Sequence, residues 1–102
     1  MITASFFDGG RAFEIKGHSG SAESGNDIIC ASVSSAAYMT ANTITEIIGV
    51  KADIKVEDGY MRFRLTEDNK EAERLIEGLD LHIRELSKQY PENVIRLKLK
   101  SK

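Results

Sequence analysis

At 102 residues, 41% of them hydrophobic and 29% charged, the chain is long enough for one compact domain and too short for two. Its single cysteine excludes an internal disulfide and a thiolate zinc cluster, and suits a reducing cytosol. A formal net charge of -2 with both signs mixed argues against a general nucleic-acid binder, and no apolar run approaches the ~20 residues of a membrane helix.

The opening Met1-Ile2-Thr3-Ala4-Ser5-Phe6-Phe7-Asp8 lacks the basic head and long apolar run of a secretory leader, so none is expected. Ile2, Ala4 and Phe6 alternate, Asp8-Gly9-Gly10 supplies turn residues, and Phe13, Ile15 and Gly17 alternate again. This pattern predicts a first hairpin. Gly17 to Asn26 is rich in Gly and Ser, with only Ala22 apolar, and is expected to be a mobile loop. A helix follows, capped by Asn26 or Asp27. Its core face is Ile29, Val33, Ala36, Thr40, Ile44 and Ile47, and Gly49 ends it.

A second hairpin turns on Asp58-Gly59. Its register sets Glu57 against Tyr60, Val56 against Met61 and Ile54 against Phe63. One face is then wholly apolar, and Asp53 meets Arg64 on the other. Asp68-Asn69-Lys70-Glu71 resembles a capping box before a second helix with the stripe Ala72, Leu75, Ile76, Leu79, Ile83 and Leu86. Pro91, the only proline, stops it. A last strand alternates Ile95, Leu97 and Leu99 with Arg96, Lys98 and Lys100. The order ββαββαβ predicts a single α+β domain over residues 1–102, with one mixed or antiparallel sheet of about five strands and two helices.

Chemistry concentrates between residues 17 and 34, where the only Cys and one of two His flank the Gly/Ser loop. With Asp27 as cap, Cys30 is the third helical residue, beside unpaired backbone N–H groups and the positive end of the helix dipole. Such a place favours the nucleophilic thiolate, with cysteines of this kind titrating at roughly 3.5 to 7.5. The same N–H groups could receive an oxyanion. His18, twelve positions before Cys30, could take the thiol proton and return it to a leaving amine. Ser34 and then Tyr38 follow Cys30 at one-turn intervals on the same helix face.

Each of these residues also has a structural reading. A lone helical Cys is as readily a small buried hydrophobe. His18 alone reads as a polar loop residue, Asp27 as a helix cap and Ser34 as a serine bonding its own backbone. His82, beside the second helix's apolar stripe, reads as structural. The row Arg96, Lys98, Lys100 reads as a solvated strand face that discourages edge pairing.

Gly17-His18, a Gly-rich loop and then Asp27-Ile28-Ile29-Cys30-Ala31-Ser32-Val33-Ser34 together resemble the signature of the ribosomal-processing cysteine protease family, Prp. The family pattern is Gly-His-Ala, a variable loop, then Asp-Ile-Val-Cys-Ala-x-Val-Ser. Ser19 and Ile29 are small departures from it. The resemblance runs the full length and implies His18 and Cys30 as a catalytic dyad, with Gly17, Asp27 and Ser34 supporting the site. It implies removal of a short N-terminal extension from a bacterial large-subunit ribosomal protein. It also implies a homodimer and a loop that orders over the peptide, and no metal or organic cofactor. Neither a membrane nor direct nucleic-acid binding is required. Two other classes compete. A non-catalytic ribosome-associated binding module has no need of the His and Cys, and a redox enzyme would want a second, resolving thiol.

Overall fold

The computed structural model describes residues 1–17 and 24–100, with residues 24–27 as backbone only. Five strands and two helices follow in the predicted order: β1 (Ile2–Phe7), β2 (Ala12–Lys16), α1 (Ser24–Asn42), β3 (Ala52–Glu57), β4 (Tyr60–Leu65), α2 (Lys70–Gln89) and β5 (Val94–Lys98). They form one mixed sheet in the order β3-β4-β2-β1-β5. All neighbours are antiparallel except β1 and β5, which run parallel.

Both predicted hairpins form, and the second takes the predicted register. Phe6 opposes Phe13 in the first, and Ile54 opposes Phe63 and Val56 opposes Met61 in the second. Strand alternation then sorts side chains to the two faces of the sheet. Ile2, Ala4, Phe6, Phe13, Ile15, Met61, Phe63, Leu65 and Val94 share one face, and all are buried. They join a single core with Val33, Ala37, Ala41 and Ile44 from the first helical segment and Ala72, Ile76, Leu79 and Ile83 from α2. Both helices therefore pack on the same side. The other face is polar, with Ser5, Glu14, Lys16, Tyr60, Arg62 and Arg64 across its middle.

The helices show where sequence reasoning met its limits. α2 keeps its stripe, and the Asn69 side chain accepts from the Ala72 N–H at 2.9 Å. This is half of a capping box, because Ala72 stands where the returning Glu would be. α1 begins at Ser24, ahead of the expected Asn26 or Asp27 cap. Asn26 and Asp27, both good capping types, lie inside the first turn instead, so side-chain preference alone does not locate the start. Past Asn42 the helix widens into a π-helical stretch, Thr43–Ile48. The extra residue in that turn rotates the pattern. Ile47, expected in the core, is 80% exposed, and Ile48 packs against the core instead. Gly49 then ends the run at φ 84°, its N–H donating to the Ile44 carbonyl at 3.0 Å.

β5 corrects another expectation. Its alternation is as read, but Val94 and Arg96 face the helices, while Ile95 and Leu97 sit half-exposed on the polar side. Arg96 is no solvated edge residue. It meets Asp80 of α2, whose burial demands a cationic partner.

Candidate active site

Cys30 lies on α1, half-buried, and packs with Ile29 against the core. It is the seventh residue of the helix rather than the third, because α1 starts at Ser24. The four orphan N–H groups of the helix N-terminus therefore lie upstream of it, and the dipole fades within the first turn. The oxyanion donors expected from a first-turn cysteine do not flank Cys30 in this geometry. Ser34 follows one turn later, half-buried on the same flank, and Tyr38 a turn after that, 40% exposed.

Gly17 ends β2 and donates its N–H to the Gly59 carbonyl at 2.9 Å, at the tip of the β3–β4 hairpin. Its φ is +94°, and a Cβ there would run into the Met1 carbonyl. Only glycine fits both the dihedral and the space. The chain then enters His18, which lies outside the described residues, as do residues 19–23 of the expected mobile loop. Residues 24–26 of that loop are helical. Asp27 belongs to the first turn of α1, and its side chain lies outside the description.

Beside Gly17, on the polar face, is a pair that sequence reading missed. The Tyr60 hydroxyl donates to the Glu14 carboxylate at 2.6 Å, and Lys16 Nζ lies 3.5 Å from the other Glu14 oxygen. Glu14 is only 4% exposed. The hydrogen bond to Glu14, then burial, then the carboxylate's charge hold the Tyr60 hydroxyl protonated above its ordinary range. The available signal was a carboxylate inside the apolar run Ala12-Phe13-Glu14-Ile15. His82 stands exposed on the outer side of α2. Among the described residues no group of three or more His, Cys, Asp or Glu could hold a metal ion, and no helix is long and apolar enough to cross a membrane.

The sequence model of the family described as Cysteine protease Prp matches residues 1–95. The chain belongs to this family. It is a cysteine protease, a peptide-bond hydrolase. The ribosomal processing cysteine protease Prp of Bacillus subtilis is 29% identical over 90 residues, which span 81% of this chain and 80% of that protein. Its Staphylococcus aureus counterpart is 29% identical over 81 residues, 76% of each chain. Among solved structures, a Streptococcus mutans protein superposes with a TM-score of 0.87 at 28% identity, covering 99% of this chain and 96% of that one. The S. aureus Prp, in complex with a covalently linked product peptide, superposes with a TM-score of 0.84 at 25% identity, covering 97% and 100%.

Within the Prp frame the described residues bring Cys30, Ser34 and Tyr38 to one flank of α1. Gly17 stands at the end of β2 from which the chain leads into α1.

Proposed function

We propose that this Prp-family protease removes the short N-terminal extension of a bacterial large-subunit ribosomal protein, with Cys30 as nucleophile and His18 as general base. One observation carries the reading: a cysteine protease needs a thiol, and this chain has one cysteine. The relatives' names, which speak of ribosomal processing, support the substrate class.

The chemistry balances simply. His18 takes the Cys30 proton as Sγ attacks the scissile carbonyl. The tetrahedral intermediate collapses, and His18 returns the proton to the departing amine. A water molecule, deprotonated by the same imidazole, then releases the acyl group and restores the thiol. Gly17 holds the strand end before His18, Ser34 lines the flank below the sulfur, and Asp27 orients the site from the first helical turn. The activity occupies residues 1–102 as one domain. The enzyme works in the cytoplasm as a homodimer and requires no nucleic-acid contact.

The test is incubation with the extended ribosomal-protein precursor, followed by mass. One cut is expected, lost in both Cys30→Ala and His18→Ala. Full-rate cleavage by Cys30→Ala would end the assignment.

A further inference from the structure

The helices leave part of the sheet's apolar face bare. Ile54 and Val56 point to the helix side, level with buried Phe63 and Met61, yet they are 45% and 47% exposed. β3 is the edge strand, and α1 is the helix beside it. The flank of α1 that faces β3 is identified by its neighbours. Thr45 shares a surface cleft with Ala52 and Asp53 of β3, whereas Thr43 shares one with Leu75 of α2. Thr45 donates to the Ala41 carbonyl one turn back at 3.1 Å. Continuing that row by three and four residues leads through Tyr38 and Ser34 to Cys30. The nucleophile's flank is therefore the wall of a shelf whose floor is Ile54 and Val56.

Helical and strand rises set the levels along this shelf. The helix runs back along β3, because only residues 49–51 separate its end from Ala52. From Thr45, Tyr38 lies about 10 Å back and Cys30 about 22 Å back. From Ala52, Val56 lies about 13 Å along. Val56 therefore stands between the levels of Tyr38 and Ser34, and Cys30 stands about 10 Å further, toward the hairpin tip. An extended peptide covers that distance in about three residues. Ile54 and Val56 are also two positions apart on a strand, which matches the spacing of alternate side chains in such a peptide.

We propose that this shelf seats the substrate. An extended peptide lies over β3 with two apolar side chains, two positions apart, on Val56 and Ile54, beginning about two to four residues from the bond cut at Cys30. The occupant follows from position, because the shelf lies beside the same flank of α1 that carries the thiol, about three extended residues from it. The proposal rests on the reading of Cys30 as nucleophile.

The experiment uses the full chain and synthetic peptides spanning the precursor's cleavage site. Val56→Lys and Ile54→Lys should each lower kcat/KM about tenfold or more, the loss expected when an apolar side chain loses its apolar seat. Alkylation of Cys30 by iodoacetamide should be unchanged in both, and so should cleavage by Lys55→Gln on the opposite face. Val56→Glu should cleave a peptide with Lys at the matching position at least tenfold better than the unsubstituted enzyme does, a rescue that a purely structural residue would not give. Values within twofold in both lysine variants would overturn the proposal. So would conversion of a dimer to monomers with kcat/KM per chain intact, which would assign the shelf to a second copy. Cleavage surviving in Cys30→Ala would strike the earlier reading instead.

Discussion

Arg96 of β5 grips Asp80 of α2 with one edge of its guanidinium, Nε donating to Oδ1 and Nη2 to Oδ2, each at 2.7 Å. The fork ties the last strand to the helix that precedes it. Arg84, 3.9 Å from the same carboxylate, is a distant second partner. The hydrogen bond to Asp80 raises the guanidinium's affinity for its proton, so Arg96 stays charged throughout any working range.

Breaking this pair from one side leaves a mostly buried charge unmatched. Arg96→Met should cost about 1.5–3 kcal/mol in urea unfolding, the range for hydrogen bonds to charged groups. Arg96→Lys keeps the charge but loses the fork, and should fall between the two. A loss below 0.5 kcal/mol in Arg96→Met would show that the fork adds little beyond packing.

Tyr60 and Glu14 predict a pH signature. The folded state keeps Tyr60 protonated to higher pH than the unfolded chain does, whose ordinary value is 10.0. A raised value means that the stabilisation is complete below the unfolded value and is lost as pH rises through the folded one. Tyr60→Phe should cost about 1 kcal/mol between pH 6 and 9, and the difference from the parent should shrink above pH 10. Parallel stability curves for the two proteins through pH 11 would refute this.

Gly17→Ala adds a methyl group where φ is +94° and the Met1 carbonyl fills the space. A destabilisation of about 2 kcal/mol or more is expected. If the strand end also positions His18, cleavage measured well below the melting temperature should fall further than the unfolded fraction explains.

Cys30 is half-buried, and serine is close to it in shape. Cys30→Ser should melt within a few degrees of the parent and lose peptide cleavage by at least about a thousandfold, since a hydroxyl is a far weaker nucleophile at neutral pH. Retained cleavage would mean that the thiol is not the attacking group.

Much of the fold was legible because its signals are local. Asp58-Gly59 and the alternation on either side fix a register that needs no distant information, and Ile54 against Phe63 follows from it. The stripe of α2 was equally clear. What could not be read depends on tertiary context. Ile47 alternates correctly for a regular helix, and only the π-helical turn sends it outward. Ile95 and Leu97 look like a core face, yet the side of β5 that meets the helices is set by parallel pairing to a strand more than 80 residues away. The candidate site divides the same way. Cys30 stood out as the only thiol, but its depth in α1 turned on a helix start that lies upstream of both expected caps. Glu14 and Tyr60 come together only once β2 and β4 pair.

The parallel seam between β1 and β5 also bears on the order of folding. Ile2 lies beside Val94 and Phe6 beside Lys98, so the first and last strands of the chain are neighbours. Closing a loop of that length costs more entropy than closing either hairpin, and the contacts that compensate come only once the intervening elements are in place. The seam should therefore close after the rate-limiting step. Weakening it, as Val94→Ala beside Ile2 does, should speed unfolding while leaving the refolding rate nearly unchanged.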